Sequence, residues 1–192
     1  LIQQAYEMES SQNFKVAIIG ATGAIGREVV KKLVKLDSCD KITVFVRRIL
    51  DEWKEEEFKH KLEVIECKNL DNMEEHKDKL ADHEVFYCCL GSRVGKGKEE
   101  FVKVDYQYPI DFANLAKKLE AKVYMLVSSS GAKANSCNLY LKTKGKLELD
   151  LKTIEIKHLV ILKPGLLLNR DNDYRFGEKV ASWVPFIPKV SC

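Results

Sequence analysis

The chain has 192 residues, of which 45 % are apolar and 32 % charged, with a formal net charge of +3. Such a balance suits one globular domain with a real core. It excludes the strong positive field of a nucleic-acid or acidic-membrane binder, and no apolar run nears the ~20 residues of a bilayer span.

In chain order, residues 1–13 read as a flexible N-terminal segment, and the domain is expected over 14–192. "FKVAII" (14–19) is a strand. Over 23–36, Ile25, Val29, Val30, Leu33 and Val34 recur at helical spacing. "KITVFV" (41–46) is a second strand, and "EEFKHK" (56–61) reads as a charged, solvated connector. "LEVIEC" (62–67) is a third strand, 72–81 a polar helix and "EVFYCCL" (84–90) a fourth strand. After the Gly/Lys loop "GSRVGKGKEE" come a helix over 100–119 and a fifth strand, "KVYMLVS" (122–128). A helix over 138–153 and a sixth strand, "HLVILK" (158–163), follow. Strands alternating with helices of 10–15 residues predict α/β architecture: a Rossmann-type, doubly wound parallel sheet in one domain.

The six cysteines show no CxxC spacing, so a zinc site is not expected. They read as reduced, mostly buried thiols, with Cys88 and Cys89 on opposite faces of a strand. The start of the chain lacks the cationic and apolar stretches of a secretion signal, so the expected compartment is cytoplasmic.

"AIIGATGAIGREVV" (17–30) places Gly20, Gly23 and Gly26 between the first strand and its helix. In a first βα unit, such glycines give the tight turn, let a pyrophosphate near the backbone, and let the helix pack on the strand. The helix N-terminus adds free N–H groups and partial positive charge. The alternative is a merely tight turn. At the end of the second strand, where an acid would suit the ribose of NAD, stand Arg47 and Arg48. A guanidinium fork matches the 2′-phosphate of NADP. Leu90 and Gly91, ending the fourth strand, are candidates to pass close to the cofactor ribose.

Tyr140 and Lys144 are four residues apart at the start of a helix and share a face. An ammonium beside a phenol favours the phenolate, and a tyrosine so placed moves the proton that accompanies hydride transfer at a carbonyl. A serine ending the preceding strand would hold the carbonyl oxygen. Ser128, Ser129 and Ser130 compete for that place, and Ser129 is the choice. Leu166 and Leu167 are candidates to cover the nicotinamide, and Arg175 to reach a phosphate.

The segments GATGAIG, VRR, CCLG, SSSGA, YLKTK and KPGLLL, in this order, resemble an atypical short-chain dehydrogenase/reductase of the Tat-interacting-protein type, also described as metastasis suppressors. The resemblance runs from about Phe14 to about Gly177. It implies an NADPH-binding fold, with the proton-acceptor role on Tyr140 and its lysine on Lys144. It carries cofactor contacts to Thr22, Gly23, Ala24, Ile25, Arg47, Arg48, Leu90, Gly91, Leu167 and Arg175. It also implies protein partners, including nuclear import receptors, and a nuclear or nuclear-envelope location beside the cytoplasmic one. Ala24 and Ile25 stand where that family often has polar residues, and Ser130 where a lysine can occur. The family usually continues tens of residues further, so part of the substrate side is expected to be missing. The reading is an NADP(H)-dependent oxidoreductase acting on a small carbonyl substrate. The alternative is an NADPH-bound regulatory or redox-sensing protein acting through partners.

Overall fold

The structure, a computed structural model, describes residues 13–92 and 97–165. Six strands form one sheet: β1 (Phe14–Ile19), β2 (Cys39–Val46), β3 (Leu62–Glu66), β4 (Val85–Cys88), β5 (Val123–Val127) and β6 (His158–Leu162). The order is β3-β2-β1-β4-β5-β6, and every neighbouring pair is parallel. Strand order therefore reverses between β1 and β4, where doubly wound sheets open a crevice for ligands at the carboxyl ends. Ile19 is in register there with Phe45 of β2 and Cys88 of β4.

The central strands are apolar runs because both of their faces are covered. Val16 and Ile18 pack into one core with Val29, Val30, Leu33 and Val34 of helix α1 (Ala24–Val34). Ala17 and Ile19 pack into the other, with Phe112 and Ala116 of α5 (Tyr108–Lys118) and Leu147 and Leu151 of α6 (Leu139–Thr153). Cys88 belongs to the second core and Cys89 packs against the first, as the alternation predicts.

Three stretches differ from the sequence expectation. The stretch read as a connector is a 3₁₀ turn (Asp51–Lys54) followed by the short helix α2 (Glu56–Lys59). Its Trp53 and Phe58 are buried in the first core, two apolar anchors among charges too sparse to show a period. Residues 72–81 form no continuous helix but a 3₁₀ turn (Met73–His76) and one turn of helix, α3 (Lys77–Leu80). The helix expected over 100–119 starts earlier, as α4 (Lys98–Val102), and passes through a π-turn (Lys103–Gln107) before α5. Among the described cysteines, Cys39 and Cys88 are buried, Cys67 and Cys89 half-buried and Cys137 exposed, all as free thiols. No described helix is long and apolar enough to cross a membrane.

Candidate cofactor and active site

The glycine turn lies at the switch point. Gly20 has φ +79°, and a Cβ there would stand 2.5 Å from the carbonyl carbon of Cys89 and 2.6 Å from the Leu90 nitrogen. Only glycine lets the end of β1 lie against the end of β4. A Cβ on Gly26 would stand 2.2 Å from the Gly20 oxygen and 2.7 Å from the Ala21 Cα, so α1 presses directly on the turn. Gly23 differs. Its hypothetical Cβ meets only the Gly20 oxygen, at 3.3 Å, and its face is open. Thr22 and Ala24 are exposed beside it, and Ile25 is half-buried. Gly23 caps α1 without a side-chain bond, and the first turn carries no acid. The free N–H groups and the dipole thus face outward without competition for an anion.

Arg47 and Arg48 are exposed just beyond β2. Neither joins an ion pair among the described residues, whereas Arg27 and Lys31 on α1 both pair with Glu52, at 3.2 and 3.3 Å. Among the described residues, the arginine pair is therefore unengaged, unlike the cations of α1.

Lys144 and Asp105 form a buried ion pair, Nζ to Oδ1 3.0 Å, with side chains 2 % and 0 % exposed. Nζ also donates to the Leu90 carbonyl oxygen at 3.2 Å. Asp105 Oδ2 accepts from the Ser92 N–H at 2.8 Å and from its hydroxyl at 2.5 Å. The chain leaves the β4 ladder after Cys88 and turns its Leu90–Ser92 backbone toward these two side chains. Tyr140 is half-buried, with its ring centroid 6.1 Å from that of Phe101. No hydrogen bond joins Tyr140 to Lys144, and among the described residues the lysine's partners are Asp105 and Leu90.

The three serines separate. Ser128 is buried and donates to Glu148 Oε1 at 2.5 Å, while Glu148 Oε2 holds Lys163 at 2.6 Å. Ser129 is half-buried, with only a 3.3 Å contact to the Ser130 oxygen, and Ser130 is exposed. The Ser128 hydroxyl is thus committed to Glu148, whereas those of Ser129 and Ser130 are the less engaged ones beyond β5. Gly145 brings α6 onto the loop before it, since a Cβ there would stand 2.3 Å from the Ala134 nitrogen. Burial pushes the Cys88 and Cys89 thiols up, so neither is a ready thiolate. Leu166, Leu167 and Arg175 lie outside the described residues.

Asp105, Glu148 and Gly145 escaped the sequence reading. Glycine inside "KTKGKLE" was a usable signal of close approach, whereas Asp105 looked like any acid on a helix surface.

Residues 20–183 match a family model described as NAD(P)H-binding. HTATIP2 of Rattus norvegicus is 35 % identical over 172 residues, which cover 88 % of this chain and 69 % of that protein. This chain belongs to the NAD(P)H-binding family, among the HTATIP2-like atypical short-chain dehydrogenases/reductases. The mitochondrial protein FMP52 of Candida albicans is 34 % identical over 87 % of this chain and 73 % of its own length. "Mitochondrial" in that name gives the cytoplasmic expectation no support. Among solved structures, serine dehydrogenase from Escherichia coli superposes with a TM-score of 0.71, covering 92 % of this chain and 91 % of that one at 16 % identity. A UDP-glucuronic acid 4-epimerase from Bacillus cereus, in complex with NAD, gives 0.66 over 79 % of this chain and 56 % of its own, also at 16 % identity. These two likenesses concern the fold.

Proposed function

We propose that the chain is an NADP(H)-dependent oxidoreductase that reduces or forms a carbonyl group. The observation that carries the reading is the switch-point turn. Gly20 and Gly26 are closed in by backbone, Gly23 is open, and the exposed arginine pair beyond β2 joins no ion pair among the described residues. Gly20, Thr22, Gly23, Ala24, Ile25 and Gly26 would hold the pyrophosphate, mainly through backbone N–H groups. Arg47 and Arg48 would take the 2′-phosphate, and Leu90 and Gly91 the nicotinamide ribose. Leu167 and Arg175 stay in the proposal on family resemblance alone.

Bound there, the nicotinamide group supplies or accepts the hydride at the carbonyl carbon. Tyr140 donates a proton to the carbonyl oxygen in reduction and takes it back in oxidation. Ser129 holds that oxygen by a hydrogen bond, and Lys144 supplies the neighbouring positive charge and a contact to the ribose.

A second reading, an NADPH-bound regulatory protein acting through protein partners such as nuclear import receptors, is favoured by one observation. Lys144 is sealed against Asp105, without a bond to Tyr140. Location follows the reading: a cytoplasmic or nuclear site fits the regulatory role, and a mitochondrial one fits the FMP52-like relatives.

Tyr140→Phe separates the two readings. An oxidoreductase keeps NADPH binding but loses carbonyl reduction by about 10²–10⁴-fold, followed by NADPH absorbance on a panel of aldehydes, ketones and quinones. Undiminished turnover removes Tyr140 from the mechanism. An inactive wild type whose partner binding depends on NADPH favours the regulatory reading.

A further inference from the structure

We propose that Asp105 is a positioning residue: it fixes the Lys144 ammonium beneath the end of β4 and couples it to the Leu90–Ser92 loop. The inference rests on the cofactor reading above and adds a residue to it.

Aspartate and lysine are almost never fully buried unless paired. A buried ion pair is weak evidence for stability, because desolvation offsets the attraction and apolar residues of similar size often serve as well. A pair with 2 % and 0 % exposure therefore points to a task other than holding the fold.

Three observations define that task. First, Asp105 sits in the π-turn, Lys103–Gln107, between two stretches of regular helix. The wider turn adds a residue and shifts the face that follows, a device common at functional sites. Second, the carboxylate is divided. Oδ2 takes both the N–H and the hydroxyl of Ser92, whereas Oδ1 faces the ammonium at 3.0 Å without an aligned hydrogen bond. Among the described residues, the one aligned hydrogen bond of Nζ goes to the Leu90 oxygen, so the same lysine touches both the carboxylate and the loop. Third, the pair lies just under the crevice. Gly91 is exposed, and a Cβ there would stand 3.9 Å from Asp105 Oδ1. Leu90, on the other side, abuts the Gly20 turn. A ligand seated at the end of β4 meets a backbone and an ammonium held by the same carboxylate.

The test is a double-mutant cycle on the full chain, with Asp105→Asn, Lys144→Met and the double variant. NADPH affinity is read by fluorescence titration and stability by thermal melts. Asp105→Asn should weaken NADPH binding by about tenfold, the size of a lost charge-assisted contact. In the Lys144→Met background it should cause no further loss. The double variant should melt above Lys144→Met, because it no longer strands a buried carboxylate. Ser92→Ala, which removes only the hydroxyl contact, should weaken binding less than Asp105→Asn. Should either single variant fail to fold while the double variant folds, that rescue is itself the expected coupling.

Equal losses of NADPH affinity from Asp105→Asn in both backgrounds would overturn the proposal, as would an Asp105→Asn variant that binds like the wild type. A wild type that binds no NADPH overturns the cofactor reading itself, and the role of Asp105 with it. Binding by the wild type with additive losses overturns Asp105 alone.

Discussion

Adding one methyl group at each glycine of the turn should give two different outcomes. At Gly26 the new Cβ would stand 2.2 Å from the Gly20 oxygen and 2.7 Å from the Ala21 Cα. Both are backbone atoms, so no side chain can rotate away and α1 must shift by about 1 Å. Overpacking of this kind costs about 1–3 kcal/mol or more, against about 1 kcal/mol regained from the higher helix propensity of alanine. The net loss, up to about 2 kcal/mol, corresponds to as much as roughly 4–8 °C in Tm for a chain of this size. Gly23→Ala meets only one atom, at 3.3 Å, and Gly23 has an ordinary negative φ of −75°. The small capping loss is offset by about 0.4–1 kcal/mol of lower unfolded-state entropy, so its Tm should stay within ~2 °C. Its Cβ would nevertheless stand on the open face over the N-terminus of α1. NADPH near 100 times its Kd stabilises a binding-competent chain by about 2.7 kcal/mol. Thermal melts with and without NADPH should therefore show Gly26→Ala unstable, and Gly23→Ala stable but deaf to the cofactor. A Gly26→Ala variant that melts like the wild type, or a Gly23→Ala variant stabilised as the wild type is, would refute this division of labour.

Burial, then the charges of Lys41 and Lys15, hold the His83 imidazole down at about 4, with Nε2 2.9 Å from Thr43 Oγ1. The unfolded chain binds this proton first, so the contribution is fully present above pH ~6.5 and is lost as pH falls toward 4. It amounts to about 3 kcal/mol, and His83→Gln should flatten the acid limb of the stability curve; an unchanged limb would exclude His83 as its source. Among the described cysteines, Cys137 should react with a thiol reagent at once, while Cys39 and Cys88 wait for unfolding. Prompt labelling of either buried thiol would contradict the packing.

All six strands could be read from the sequence: the central ones are apolar runs because both faces are covered, and the edge strands β3 and β6 are still short β-branched or aliphatic runs between helices. The glycine turn was legible for a local reason: its geometry is written in three residues of one segment. Trp53 and Phe58 were not, because two isolated apolar residues among charges show no period, and their burial is decided by the tertiary core they join. The π-turn was hidden for the same reason. "FVKVDYQY" carries no local break, and Asp105 is drawn inward by Ser92 and Lys144, thirteen residues before it and thirty-nine after it. The choice among Ser128, Ser129 and Ser130 hangs on how β5 meets β6 and α6. The Ser128 N–H bonds the Leu162 oxygen and its hydroxyl bonds Glu148, which leaves Ser129 and Ser130 the freer ones.

The central claim is that the crevice between β1 and β4 holds a nicotinamide dinucleotide and that the arginine pair reads its 2′-phosphate. Parallel titrations of NADPH and NADH against the wild type and the Arg47→Ala/Arg48→Ala variant test it most directly. Loss of a charge-assisted contact is worth roughly 1.5–3 kcal/mol. The wild type should thus bind NADPH at least about tenfold more tightly than NADH, and the variant should lose that margin while its NADH affinity barely changes. Equal affinity of the wild type for the two cofactors, or a variant that keeps the preference, would contradict it.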